Sequence, residues 1–179
     1  MKKVIVPELN SEPFKGFVKE LNLAVSRSEL AANERYEDHF EPQSLRFLKK
    51  DAKYPEGNCW HNCYRYVYYN SGQVVFGWLI FEIVNDRFVA QNHAVVRGDD
   101  GNLFDPTHCS VVNTNGVFVP DLRAKIQYEN LRAPGSFELL ESGRKIWTDG
   151  KGESENLMYR KFEDSKQLQD HIAKYVTDI

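Results

Sequence analysis

Three side chains in this sequence have the types and chain order that nucleophilic thiol catalysis needs: Cys59, His93 and Asp105. Cys59 follows a Gly57-Asn58 loop at the start of a predicted helix. Free backbone N–H groups and the positive end of the helix dipole favour a thiolate there. The same N–H groups are placed to bind an oxyanion formed on a substrate carbonyl. Cys63, one turn further along, lacks that advantage. His93 lies mid-strand in Gln91-Asn92-His93-Ala94-Val95-Val96. A stiff strand holds an imidazole at a fixed angle, as a general base requires. Asp105, in Leu103-Phe104-Asp105-Pro106-Thr107, is suited to hold the imidazole tautomer and stabilise the imidazolium. The implied chemistry is attack of sulfur on the carbonyl carbon of an amide or ester. Taken singly, each residue has a plainer role. A cysteine on an apolar helix face is usually core, a strand histidine is often structural, and an aspartate before proline usually shapes a turn. The joint order favours catalysis.

These residues need particular elements to carry them. Residues 11–36 read as a helix, with Phe14, Phe17, Val18, Leu21 and Ala24 at helical spacing. Residues 58–70 read as a second helix, with Trp60, Cys63, Tyr64, Val67 and Tyr68 on one broad face. Val74 to Val84 and Arg87 to Arg97 read as strands, rich in β-branched and aromatic residues. Asn102 to Asp105 is a short strand stopped by Pro106, and two more are expected at Val117–Val119 and Phe137–Leu140. Asp164 or Ser165 caps a last helix with Leu168, Ile172 and Val176 as its stripe. Helix, helix, antiparallel strands, helix is an α+β order.

The turn at Gly98-Asp99-Asp100-Gly101 decides whether His93 and Asp105 can meet. A two-residue loop at Asp100-Gly101 would set Asp105 opposite Val96, on the other face from His93. A three-residue loop with Gly101 left-handed pairs Gly98 with Asn102 and sets Asp105 opposite Val95. Asp105 then shares His93's face at a diagonal of ~7–8 Å between backbones, which the two side chains can span. The catalytic reading requires that odd-length turn or an equivalent bulge.

The segments Asn58-Cys59-Trp60-His61-Asn62, Gly77-Trp78, His93-Ala94-Val95 and Gly101-Asn102-Leu103-Phe104-Asp105-Pro106-Thr107 resemble the core of the papain-like and transglutaminase-like cysteine enzymes. The likeness covers about residues 54 to 107, under a third of the chain. It implies N-terminal helices packed on a small antiparallel sheet, with acyl transfer through a thioester. It assigns Cys59 as nucleophile, His93 as base and Asp105 as orienting acid. Asn58, Trp60 and Trp78 are expected at the substrate. One departure stands out: residues 51–58 read Asp-Ala-Lys-Tyr-Pro-Glu-Gly-Asn, without the upstream glutamine usual in papain-like proteases. Asn58, Tyr54 or backbone N–H groups are the available substitutes, which opens deamidation and transglutamination beside proteolysis.

Composition bounds the alternatives. The chain has 179 residues, enough for one domain over 1–179 that buries a core without staples. A net charge of −3 argues against a nucleic-acid partner, and 13% aromatic residues argue against a disordered acidic chain. Three cysteines do not make a disulfide scaffold. No apolar run approaches the ~20 residues of a membrane span, since Gln73 to Val84 is interrupted by Gly77 and Glu82. The start Met1-Lys2-Lys3-Val4-Ile5-Val6-Pro7 has too short an apolar stretch for a signal peptide, so a cytoplasmic location is expected. Free thiols suit a reducing compartment. The rival metal set of Cys59, His61, Cys63, His93, His108 and Cys109 lacks paired zinc-knuckle spacing. Arg46, Lys49, Lys50 and Lys53, interrupted by Asp51, read as a solvated face. Neither a Gly-rich phosphate loop nor a nucleophile-elbow serine is present. The expectation is a thiol enzyme acting on a peptide, isopeptide or glutamine side-chain amide. It needs no cofactor and no metal, and takes a peptide or protein substrate. The alternatives are a non-catalytic binding module built on the same aromatic surface and a zinc-stabilised domain.

Overall fold

The computed structural model describes residues 3–26, 40–109, 115–125, 132–149, 152–156, 159–161, 163–164 and 166–167. In chain order the first elements are β1 (Val4–Ile5), α1 (Glu12–Ser26), β2 (Gln43–Phe47), α2 (Cys59–Tyr69), β3 (Gln73–Ile83), β4 (Arg87–Arg97) and β5 (Leu103–Asp105). There follow β6 (Asn115–Pro120), a 3-10 turn (Leu122–Ala124), β7 (Arg132–Pro134), β8 (Ser136–Leu140), β9 (Lys145–Thr148), β10 (Glu153–Ser154) and β11 (Tyr159–Lys161).

The long hairpin β3–β4 is the spine. Its β-branched and aromatic residues favour extended backbone, and the strands pair over their full length from Gln73↔Arg97 to Ile83↔Arg87. From this spine five strands close on themselves. β3 pairs β6, β6 pairs β2, β2 pairs β5 in parallel, β5 pairs β4, and β4 returns to β3. Closure removes the exposed edges that an open sheet would carry. Alternation of side chains then sorts the core into three parts. Leu45, Phe47, Leu79, Val95, Leu103 and Phe118 come from all five barrel strands and form the interior cluster. Outside, α1 lays Phe14, Phe17, Leu21 and Val25 against Trp78, Ile80, Val117, Val119, Phe137 and Trp147. Each such side chain contributes about 1.5–3 kcal/mol on burial, which holds a helix too short to be stable alone. α2 packs Trp60 and Cys63 on a different outer face, against Phe76, Ala94, Val96 and Phe104. Beyond β4 the sheet runs on through β8, β9 and β10, and β1 flanks β3. β7 and β11 form a separate pair.

This architecture corrects the expected fold class. The chain is not a set of N-terminal helices on a small antiparallel sheet with a papain-like or transglutaminase-like core. Among the described residues it is mostly β, with two α-helices and a closed five-stranded barrel. The short strand β2, Gln43-Ser44-Leu45-Arg46-Phe47, buries only Leu45 and Phe47, so its basic residue masked the alternation. The expected first helix ends at Ser26, and its reading over 27–36 lies outside the described residues. At the start of the expected C-terminal helix Asp164 Oδ1 accepts the Gln167 N–H at 2.8 Å, while Leu168, Ile172 and Val176 lie outside the described residues.

Gly77 is where closure is tightest. A Cβ there would stand 2.1 Å from the Val119 carbonyl oxygen and 2.6 Å from the Phe118 ring. Both neighbours belong to the barrel wall and cannot swing away. Gly77→Ala is therefore expected to lower stability by about 1–3 kcal/mol, the usual range for overpacking, read as a drop in the urea midpoint.

Candidate functional site

The turn between β4 and β5 is the odd-length one. The Gly98 N–H donates to the Asn102 carbonyl at 3.0 Å, the Gly101 N–H donates to the Gly98 carbonyl at 2.9 Å, and Gly101 has φ +80°. Strand pairing starts with Arg97↔Leu103 and Val96↔Phe104. The same register brings Asp105 to Val95, on the face that carries Val95 and Leu103 into the barrel interior. His93 has the same parity on β4, opposite Gly77. His93 Nε2 and Asp105 Oδ2 are 2.5 Å apart.

Asp105 is held on every side. Its side chain is 1% exposed, and its second oxygen, Oδ1, accepts the Thr107 N–H at 2.7 Å in an aspartate-led turn. Its carbonyl accepts the Leu48 N–H at 2.9 Å. Thr107 is in turn gripped by α2, because Asn62 Nδ2 donates to Thr107 Oγ1 at 2.9 Å and to the Pro55 carbonyl at 2.8 Å. Asn62 therefore ties three pieces together: the helix that begins at Cys59, the loop before it, and the loop that follows Asp105. Sequence reasoning missed Asn62 and Thr107 as site residues. The available signal was an asparagine inside an aromatic helix, where its propensity is poor, together with a threonine two places after a carboxylate.

Cys59 is the first residue of α2 and is partly buried. It lies close enough to the His93 ring for its charge to act on it. Nε2 faces the carboxylate, and Nδ1 is the ring's other nitrogen. Burial works against a protonated His93, yet the charges of Cys59 and Asp105 and their hydrogen bonds outweigh it. The ring is thereby raised well above its ordinary value of 6.5. Cys63 differs: it is fully buried, and burial, followed by the nearby Asp105 and Cys59, pushes its thiol well up. Of the two cysteines on α2, the one at the helix start is partly exposed and acts on the imidazole, and the other is a core side chain.

The start of α2 carries amides outside the helix's own bonding. The helix's first internal bond runs from the Asn62 N–H to the Asn58 carbonyl, so the amides of Cys59, Trp60 and His61 lie ahead of it. Asn58 is the N-cap residue but its side chain makes no capping bond. It is buried, and its Oδ1 has no partner among the described residues. Tyr54 packs its ring on Tyr66, two turns of helix beyond Cys59. Burial, with Asp51 adding to it, raises the Tyr54 hydroxyl above its ordinary value.

The two indoles expected at the substrate are elsewhere. Trp60 is 4% exposed and meets Phe76 edge-on at 5.6 Å. Trp78 is fully buried under α1, with Nε1 donating to Asp121 Oδ2 at 2.8 Å. Helical and strand alternation turn both outward from the barrel into its helix-covered faces, where no face of either ring is open to a substrate. Among the described residues, no three histidine, cysteine or acidic side chains are arranged to share a metal ion. No helix among them is long and apolar enough to cross a membrane. Compared with known proteins, the chain matches no family model, no curated protein and no solved structure.

Two outcomes follow from the raised imidazole. Its folded-state value lies above the unfolded one, so it adds stability that is complete below about pH 6.5. That stability is lost as pH rises through the raised folded value. An NMR titration of His93 should give a midpoint above 6.5 that falls in Cys59→Ala and in Asp105→Asn. Asn62→Leu removes the clamp and leaves Thr107 and the Pro55 carbonyl unpaired, at an expected cost of about 1–3 kcal/mol in chemical denaturation.

Proposed function

We propose that Cys59, His93 and Asp105 form the catalytic triad of a thiol-dependent acyl-transfer enzyme acting on an amide of a peptide, isopeptide or glutamine side chain. The observation that carries the reading is the contact of His93 Nε2 with the buried Asp105 carboxylate, with Cys59 at the start of α2 close enough to act on the same imidazole. The raised imidazole supports a ring that holds a proton at neutral pH, as a thiolate partner and leaving-group acid must.

In this mechanism the Cys59 thiolate attacks the carbonyl carbon and the carbonyl π electrons move to oxygen. The open amides at the start of α2 and the Asn58 side chain surround that oxyanion. On collapse the C–N bond breaks, the His93 Nδ1 proton passes to the leaving nitrogen, and a thioester remains. His93, now neutral, takes a proton from water or from an acceptor amine. That nucleophile displaces sulfur and restores the thiolate and the imidazolium. Asp105 holds Nε2–H throughout. No cofactor enters these steps. The cytoplasm, where thiols stay reduced, is the compartment proposed for this chemistry.

The binding-module alternative keeps the exposed Tyr64, Tyr68 and Tyr69 on α2 as its surface, without the buried indole of Trp60. The reading is tested by labelling with iodoacetamide at mildly acidic pH, followed by peptide mapping. Cys59 should be alkylated selectively over Cys63 and Cys109. Cys59→Ala should abolish amide turnover while changing stability by less than about 1 kcal/mol. Equal labelling of the three thiols would overturn the proposal, as would a large loss of stability in Cys59→Ala.

A further inference from the structure

One cation beside the site has no role in the chemistry above. Lys125 ends the 3-10 turn that follows β6, and its Nζ stands 5.4 Å from the centroid of the Phe76 ring. An ammonium over an aromatic face is held by the ring quadrupole rather than left to wander in solvent. Phe76 in turn meets Trp60, the residue after Cys59, and lies 6.3 Å from the ring of Tyr64. The turn itself is docked at the level of His93. Gly77 pairs with His93 on one side and with Pro120 on the other, and the Asp121 N–H donates to the Phe76 carbonyl at 2.8 Å.

Among the described residues no carboxylate forms an ion pair with Lys125. The acid in its own turn, Asp121, already accepts from Trp78 Nε1 and from the Arg123 backbone N–H and Nε. Two side chains near this contact leave apolar surface in water: Leu122, in the same turn, is 56% exposed, and Tyr64, against Phe76, is 49% exposed. A cation over Phe76, with no ion pair among the described residues and with that ring against Trp60 and Tyr64 of the nucleophile helix, is placed to receive an anion on a chain that also covers the exposed apolar groups.

We propose that Lys125 is a specificity-determining residue that binds a carboxylate carried by the peptide substrate of Cys59. This rests on the acyl-transfer reading above and narrows its substrates to acidic peptides. Lys125 acts on binding and takes no part in proton transfer or nucleophilic attack.

The test uses two alkylating probes of the same reach on the full chain. Iodoacetate carries a negative charge and iodoacetamide does not, and both give up iodide to the Cys59 thiolate. The ratio of their rates at Cys59 reports attraction of a carboxylate to the site. Lys125→Met should lower that ratio about three- to tenfold, the effect expected of one charge across a partly screened surface distance. Its iodoacetamide rate should stay unchanged. Lys125→Arg should keep the wild-type ratio, and Lys19→Met on the exposed face of α1 should not alter it. The wild-type preference should also shrink as salt is raised. An unchanged ratio in Lys125→Met, with Cys59 still selectively labelled, would overturn the role of Lys125 and leave the triad standing. The absence of selective Cys59 labelling in the wild-type chain would remove both.

Discussion

A carboxylate taken out of water has to be paired or it will take up a proton, and Asp105 is almost completely enclosed. Its two oxygens are met by one imidazole and one backbone amide, Nε2 of His93 and the N–H of Thr107. Both partners depend on structure remote in sequence. His93 is set by its pairing opposite Gly77, and Thr107 by the buried amide of Asn62 on α2. The same enclosed charge stabilises a proton on His93 and, with Cys59, opposes ionisation of the buried Cys63. The difference between the two helix cysteines is thus electrostatic as well as steric.

Barrel closure is what allows a helix on the outside to meet side chains that point inward. His93 and Asp105 share the parity of Val95 and Leu103, which belong to the interior cluster, whereas Trp60 and Cys63 lie against the outer face. The residue of α2 whose charge acts on the inward-facing imidazole is its first, Cys59. Gly77 makes the geometry possible, because the β6 backbone passes where a side chain would have to sit. The parallel pairing of β2 with β5 completes the ring and brings Leu48 to the carbonyl of Asp105.

The polar groups around the indole of Trp78 show the same economy of donors. Asp121 takes the indole N–H and Arg123, and Arg123 reaches on to Ser26 and Asn22 at the end of α1. The turn is therefore anchored to the barrel and to α1 at once. A side chain at its end, such as Lys125, is presented from a fixed base rather than from a loose loop.

Much that is local was legible in the sequence. β-Branched and aromatic density marked β3 and β4, helical spacing marked α1 and α2, and the glycine of Gly98-Asp99-Asp100-Gly101 pointed to the turn that sets the parity of Asp105. These follow from interactions within a few residues, which a single chain states directly. What the tertiary structure decided was non-local. Closure of the barrel joins strands far apart in the chain, and β2 has only two buried positions with which to announce itself. Periodicity identifies Trp60 and Trp78 as apolar-facing but cannot tell a core from a cleft, and packing placed both in the core. The amide of Asn62 became a clamp only because the fold brought Pro55 and Thr107 to the same point in space. Local chemistry is written in residue types and spacing, whereas the pairing of distant groups is settled by which arrangement buries the most apolar surface with every enclosed charge satisfied.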